Sequence, residues 1–145
     1  MFSRNHRFEK KLRQAGWYPG READTSHWIS WLENEGYEVH DAAAIFLAEY
    51  GGLIFTDSGP GITVGRDPFA VDPRQVGSEC EIIEGWSEKL DKNIIPLGMT
   101  TQEMFEFGID EDENMYIFSH ACQFLGRGRD GLKALVLGIE GKIIE

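Results

Sequence analysis

A glycine-rich segment near the C-terminus has the spacing of a phosphate-binding loop. Gly126, Gly128 and Gly131 match G-x-G-x-x-G, which cradles a pyrophosphate when it joins a strand to a helix in a βαβ unit. Such a unit also needs a second strand and an acidic residue about 20 positions further on. Only 14 residues follow Gly131 in this chain of 145. The segment is therefore predicted to be a turn before a last helix, and no cofactor is expected.

An acidic segment has the start of a calcium-binding loop. Residues 110–114 read Asp-Glu-Asp-Glu-Asn, and Asp or Asn at alternate positions supplies oxygen ligands in EF-hand loops. That pattern also requires Gly at the sixth position and Glu at the twelfth, where this sequence has Met115 and Ala121. We therefore expect a solvated hairpin turn without a metal ion, whose acidic side chains could contact a basic partner.

The cysteine and histidine residues lack the spacing of a metal or catalytic site. Zinc ligands come in closely spaced pairs, whereas Cys80, Cys122 and the four histidines are scattered, with only His120 near a cysteine. The sequence also contains no G-x-S-x-G, H-E-x-x-H or P-loop motif. No catalytic residue is assigned on this basis, although an enzyme whose site is assembled from distant residues is an alternative that sequence motifs do not detect.

The net charge of −11 is divided unevenly along the chain. Residues 1–21 carry six basic side chains and one acidic side chain, a net +5, whereas residues 22–145 carry 8 basic and 24 acidic ones, a net −16. An acidic body repels nucleic-acid backbones and attracts basic proteins, so a protein partner is expected and nucleic acid is not. The alternative is that this acidity serves solubility alone.

The composition and the N-terminus indicate a folded cytoplasmic protein. At 41% hydrophobic and 12% aromatic residues, the chain is too apolar to be disordered, and its length fits one domain spanning residues 1–145. No apolar run approaches the ~18 residues of a membrane span, and the N-terminus lacks the apolar core of a secretory signal. We therefore expect no membrane association, and both cysteines are predicted to be free thiols.

Hydrophobic spacing predicts five helices separated by turn signals. They are expected over residues 8–15, 26–35, 41–50, 78–90 and 130–137. The third should face the core with Ala42, Ile45 and Phe46, and the fourth should begin with a capping box from Ser78 to Glu81. The fourth helix carries three acidic residues close together on its polar side: Glu81, Glu84 and Glu88. The four tryptophans are expected to pack in the core.

Short β-type runs predict a mostly antiparallel sheet of about five to six strands. The strands are expected at residues 53–55, 62–64, 94–97, 105–109, 115–118 and 122–125. A dense turn signal separates the first two, and the acidic segment separates the fourth and fifth, so each pair is predicted to form an antiparallel hairpin. The order of elements is typical of an α+β fold with N-terminal helices packed on the sheet and a C-terminal helix.

Several segments, taken in order, resemble the SUKH superfamily of bacterial immunity proteins, and specifically its third subfamily. They are Ala15-Gly16-Trp17 with Pro19-Gly20-Arg21, the helix of Trp28, Ala42 to Leu53, Pro96-Leu97-Gly98, Ile109-Asp110 with Tyr116, and Leu125-Gly126. The resemblance covers residues 8–137. The combination of AGWxPGR with FLAEYGGL is its specific part. These residues are typical of helix ends, turns and core positions, so they predict how the domain folds and not where a partner binds.

The resemblance implies a non-enzymatic antitoxin. Members of the family are encoded beside polymorphic or contact-dependent toxins, and protect the producing cell by binding the cognate toxin, commonly a nuclease. The resemblance carries over no catalytic, cofactor or metal-binding residue. Distant relatives act in cell-wall signalling, so a scaffold or regulatory protein-binding module is the alternative. Whether the chain is a monomer or a homodimer stays open.

Two groups of acidic residues are the hypothesised toxin-binding surface. Nuclease toxins are often basic because they grip phosphates, and an acidic inhibitor can cover such a site. The candidate residues lie on the predicted fourth helix and in the acidic segment: Glu81, Glu84, Glu88, Asp110, Glu111, Asp112 and Glu113.

Overall fold

The computed structural model describes residues 3–77 and 80–145. Its helices are α1 (Arg4–Gln14), α2 (Ser26–Asn34), α3 (Asp41–Tyr50), α4 (Glu81–Leu90) and α5 (Arg129–Leu137), with a short 3-10 helix at Pro73–Val76. All five predicted helices are therefore present. The capping box predicted from Ser78 lies partly outside the described residues, and Cys80 precedes the first residue of α4.

An antiparallel sheet forms the centre of the fold. Its strands, in chain order, are β1 (Ile54–Phe55), β2 (Gly59–Pro60), β3 (Gly65–Arg66), β4 (Phe69–Val71), β5 (Ile95–Thr100), β6 (Glu106–Ile109), β7 (Asn114–Phe118), β8 (Cys122–Arg127) and β9 (Lys142–Ile144). Seven of them form one sheet in the order β1-β4-β5-β6-β7-β8-β9, and β2 pairs with β3 as a separate ribbon. The α+β class with a C-terminal helix is confirmed, and the sheet has seven strands instead of five to six.

The two faces of the sheet belong to different hydrophobic clusters. Because side chains alternate along a strand, Met115 of β7 points to one face and Tyr116 to the other. On the first face, which we call the helical face, Met115 belongs to a cluster with residues of α1, α2, α3 and α5. On the second face, Tyr116 belongs to a smaller cluster with Ile83 of α4 and Cys122 of β8. Helix α4 therefore lies on the side of the sheet opposite the other four helices.

The first predicted hairpin is wrong. Strand β1 pairs with β4, with Phe55 opposite Phe69, and not with residues 62–64. Those residues lie at the tip of the β2–β3 ribbon. Strand β4 was not among the predicted strands: it has only three residues, between Pro68 and Pro73, and prolines at both ends are typical of an irregular connection. The second predicted hairpin is confirmed as β6 and β7, which pair around the acidic turn.

The predicted core stripe of α3 needs one correction. Ile45 is 67% exposed, whereas Phe46 is buried as predicted. The buried side of the helix also includes Ala43, Leu47 and Tyr50. Trp17 and Trp28 are buried, and the other two tryptophans are partly buried against the clusters. Among the described residues, no helix is long and apolar enough to cross a membrane.

Candidate protein-binding surface

Helix α4 presents an acidic surface to solvent. Glu81, Glu84 and Glu88 are exposed, and their spacing of three and four residues places them on one side of the helix. Ile83, on the other side, is fully buried against the sheet. Within residues 3–77 and 80–145, no Lys or Arg forms an ion pair with any of these three carboxylates. This surface, which we call the α4 surface, therefore carries three carboxylates that no direct ion pair neutralises, although Lys89 lies beside Glu88 in the last turn of the helix.

Asp110, a predicted contact residue, is fully buried and therefore cannot touch a partner. Its Oδ1 accepts hydrogen bonds from the backbone N–H groups of Asp112 (2.9 Å) and Asn114 (3.0 Å). Its Oδ2 accepts from the Asn114 side chain (3.0 Å) and the Tyr116 hydroxyl (2.8 Å). Burial and this hydrogen bond raise the pKa of Tyr116 above its ordinary value. Asp110 thus holds the turn between β6 and β7 in shape, and it is removed from the proposed contact surface.

The other three acidic residues of the turn are exposed, but each interacts with a donor of the protein. Lys92 Nζ lies 2.5 Å from Asp112 Oδ2, and this hydrogen bond holds the pKa of Asp112 below its ordinary value. Arg127 pairs with Glu113 at 3.4 Å. The Glu111 carboxylate accepts from the backbone N–H of Asn93 at 3.1 Å. The turn therefore offers less free negative charge than the α4 surface does.

Oxygens of Asp110, Glu111 and Asp112 lie within 4.8 Å of one another, close enough to share a cation. All three carboxylates accept the protein hydrogen bonds described above, from the turn itself and from Lys92 and Asn93. This arrangement explains the acidic cluster as a stabilised hairpin turn, and it gives no independent indication of a metal ion.

The segment between α4 and β5 connects the two acidic groups. Asn93 in this segment donates from its side chain to the carbonyl oxygen of Glu38 at 2.8 Å, and its own carbonyl oxygen lies 2.9 Å from His40 Nε2. His40 Nδ1 accepts from the backbone N–H of Ala43 at 3.1 Å and so caps α3. These contacts fix the position of Lys92. Lys92 and Arg127 could not be identified from the sequence, because each is far along the chain from the carboxylate that it neutralises.

The residues of the N-terminal half that carried the family resemblance contact one another at the end of α3. The Arg21 guanidinium donates to the carbonyl oxygens of Glu49 and Gly51, both at 2.7 Å, and so satisfies carbonyl groups that a helix end leaves unpaired. Trp17 Nε1 donates to Glu49 Oε2 at 3.0 Å. A Cβ on Gly51 would lie 2.5 Å from the ring of Trp28. Their role is architectural, as the sequence predicted.

The comparison with known families decides the assignment. Residues 4–138 match the family model described as SUKH-3 immunity protein. This chain belongs to the SUKH-3 immunity protein family. No curated protein and no solved structure gives a significant match. The predicted family is therefore confirmed, over a range that includes residues 8–137.

In this SUKH-3 immunity protein the signature contacts at the end of α3 and the acidic surface of α4 are on different elements. The signature contacts link the α1–α2 region to the end of α3 on the helical face, whereas Glu81, Glu84 and Glu88 lie on α4 across the sheet. A surface that faces solvent and is separate from the architectural residues can vary without changing the fold. Such a separation is what a protein needs when its fold is shared but its partner is specific.

Proposed function

We propose that this SUKH-3 immunity protein acts in the cytoplasm by binding and neutralising a cognate toxin, a basic nuclease of a polymorphic or contact-dependent toxin system. Family membership over residues 4–138 supports the immunity role. The exposed, unpaired carboxylates of the α4 surface support a basic partner. The protein acts as a binding partner and not as an enzyme, so the proposal requires no catalytic group.

The α4 surface is the main contact in this proposal. Three carboxylates that form no ion pair project a stronger negative potential than carboxylates paired with Lys92 and Arg127. Glu111, Asp112 and Glu113 form the edge of the contact, reached through the segment that joins α4 to β5. A nuclease must present basic groups to phosphate, and a carboxylate surface can occupy those groups in place of the nucleic acid.

The first test of this function is co-expression with the toxin domain that is encoded beside the immunity protein. We expect the immunity protein to restore growth of cells that express the toxin domain and to co-purify with it. A scaffold or regulatory module, the alternative drawn from distant relatives, would give neither result. Protection by an immunity variant that no longer co-purifies with the toxin would contradict neutralisation by binding.

The second test locates the surface. The double variant Glu81→Lys and Glu84→Lys should slow association with the toxin domain by roughly tenfold or more at low salt, because charge complementarity acts mainly on the association rate. Stopped-flow mixing measures this rate. The matched control is Glu22→Lys with Asp130→Lys. It makes the same change in net charge at two exposed positions on the side of the helical face, away from α4.

The comparison of these two variants separates position from net charge. An unchanged association rate for the α4 variant rejects the placement on α4, even if the toxin still binds. Equal slowing by the control variant shows that total charge acts, and not the α4 surface. Reversal of Glu111 and Glu113 is expected to slow association less than the α4 variant, since this turn already contains paired charges.

A further inference from the structure

A groove opens on the helical face of the sheet, across the sheet from α4. It lies between the β2–β3 ribbon, the C-terminal end of α5 and the loop that joins β5 to β6, and it encloses about 220 Å³. Side chains that pack against the main core form its floor, among them Ile117 and Leu125 of the sheet and Leu135 of α5. The groove is thus an apolar depression next to the core and not a gap between loose loops.

One wall of the groove is fixed to the end of α5 through the tip of the β2–β3 ribbon. The backbone N–H of Thr63 donates to the Gly138 carbonyl oxygen at 2.9 Å, and the Thr63 hydroxyl accepts from the backbone N–H of Glu140 at 2.7 Å. A Cβ on Gly138 would lie 2.6 Å from the Val64 carbonyl oxygen and 2.7 Å from Gly61 Cα. Glycine at position 138 is therefore needed for this close approach, and the wall is built before any ligand arrives.

The opposite wall is fixed by a carboxylate. Asp67 accepts hydrogen bonds from the backbone N–H groups of Gln102 at 2.9 Å and Glu103 at 2.8 Å. Thr101 adds a hydrogen bond from its hydroxyl to the Pro68 carbonyl oxygen at 2.7 Å. These contacts hold the loop after β5 against the start of β4, and they place the Glu103 side chain at the mouth of the groove.

The groove is negatively charged. Asp67, Glu103 and Glu140 all line it, and its lining within the described part of the chain includes no Lys or Arg. Arg66 is adjacent in sequence, but its guanidinium donates to the Ser58 carbonyl oxygen at 3.0 Å and lies 3.8 Å from Asp57 Oδ2. An apolar floor combined with unneutralised carboxylates at the mouth complements a ligand with an apolar stem and a cationic end.

We propose that this groove binds an arginine side chain presented by a basic protein partner. The volume is below the roughly 300–1,000 Å³ of sites for drug-sized molecules, so it suits one long side chain. The aliphatic stem of arginine packs on apolar surface, and its weakly hydrated guanidinium donates hydrogen bonds to carboxylates. The ammonium of lysine is compact and strongly hydrated, so it fits an apolar groove less well. The site is distinct from the α4 surface because it lies on the opposite face of the sheet, and it does not require the partner to be a nuclease.

The test uses the full chain and a short arginine peptide. The peptide acetyl-Gly-Arg-Gly-amide is titrated into ¹⁵N-labelled protein, and amide shifts are followed by NMR. We expect saturable shifts at Gly65, Ile117 and Leu125. The variant Glu103→Gln with Glu140→Gln should weaken binding by about tenfold, as expected for loss of charged hydrogen-bond partners. Both residues are exposed and use their backbone N–H groups for the fold, so these variants are expected to stay folded.

Two controls make the result specific. The same peptide with citrulline in place of arginine keeps the shape without the charge, and it should bind much more weakly. The variant Glu81→Gln with Glu84→Gln removes two charges from the α4 surface and should leave peptide affinity unchanged. The proposal is overturned by citrulline binding equally well, by equal weakening in both variants, by shifts centred on α4, or by no saturable shift at the groove.

Discussion

The Asp110 carboxylate accepts hydrogen bonds from four donors, two at each oxygen. Because this side chain is fully buried, its loss would leave donors without the carboxylate partner that the fold provides for them. The neutral variant Asp110→Asn would turn an N–H group toward one pair of donors. We expect the free energy of unfolding to fall by about 2 kcal/mol, the order of magnitude for leaving buried donors unsatisfied. Urea denaturation measures the change.

The control for this prediction is Asp112→Asn in the same turn. Asp112 is exposed and pairs with Lys92 at the surface, so its neutralisation is expected to change the free energy of unfolding little. Equal losses in the two variants would mean that burial of Asp110 does not set its contribution. The comparison distinguishes an acidic residue that stabilises the fold from one that is available to a partner.

Cys122 gives the protein a predicted loss of stability in alkaline solution. Burial raises the pKa of its thiol from an ordinary value of 9.0 to about 11. Between these values the unfolded thiol loses its proton while the folded one keeps it, so the free energy of unfolding falls as pH rises through this window. For this thiol alone the fall is up to roughly 2 kcal/mol. Tyr37, whose pKa burial raises to about 12, adds a fall in the same direction that begins at higher pH.

Urea denaturation tests this loss of stability. It is measured under reducing conditions at a series of pH values from 8 to 11, roughly the ionisation range of the thiol. The variant Cys122→Ala should show a shallower decline than the native protein, whatever its starting stability, because only the thiol of Cys80 is left to ionise. An identical slope in the two proteins would contradict the assignment to Cys122. At about pH 8 and below, the Cys122 thiol keeps its proton in both the folded and the unfolded state. The free energies of unfolding of the native protein and the variant should therefore run parallel with pH in that range.

Helices α4 and α5 each contain a glycine, and the packing around the two glycines is opposite. A Cβ on Gly131 of α5 would lie 2.6 Å from Met115 Cβ, whereas a Cβ on Gly85 of α4 would meet nothing within 4 Å. Alanine is favoured over glycine inside a helix by about 1 kcal/mol. We expect Gly85→Ala to raise the free energy of unfolding by about that amount, because nothing opposes the preference.

Gly131→Ala is expected to lower the free energy of unfolding by about 1–3 kcal/mol in spite of the same helical preference, because the added methyl group forces α5 away from β7. Thermal or urea denaturation of both variants makes the comparison. Stabilisation by both substitutions would show that α5 moves outward at no cost. Such a result would also contradict the view that the close contact between α5 and β7 holds the last helix in place.

A helix could be predicted from this sequence where apolar residues recur at helical spacing and a glycine follows the last turn. The bounds Asp41–Tyr50 of α3 agree with the prediction because Gly51 follows a continuous run of good helix formers. Strands β4 and β9 were missed because each has three residues, too few for an alternating pattern to be recognised. The pairing of β1 with β4 is a long-range choice that the local turn signal did not reveal.

At the scale of the whole molecule, charge and shape were not equally predictable. The α4 surface could be proposed from the sequence because its carboxylates repeat at helical spacing within one element. The groove could not, because Asp67, Glu103 and Glu140 come from three distant segments that only the fold brings together. Burial of Asp110 was also hidden, since composition does not distinguish a carboxylate in solvent from one enclosed by its own turn.

The charge distribution predicts that salt acts in opposite directions on the free protein and on its complex. Residues 22–145 carry a net −16, and self-repulsion of this charge destabilises the compact state. Raising ionic strength shortens the screening distance from ~30 Å at 0.01 M to ~10 Å at 0.1 M, which weakens that repulsion. We therefore expect the free energy of unfolding to rise over this range, as measured by urea denaturation with sodium chloride added.

The same screening should slow association with a basic toxin, because attraction between opposite charges acts over the same distances. The association rate measured by stopped-flow should therefore fall over the salt range in which the free protein becomes more stable. A parallel increase of both quantities would indicate that burial of apolar surface, and not charge, limits the encounter. A fall in both would mean that the ion pairs of this protein, such as Lys92 with Asp112, outweigh the repulsion among its unpaired carboxylates.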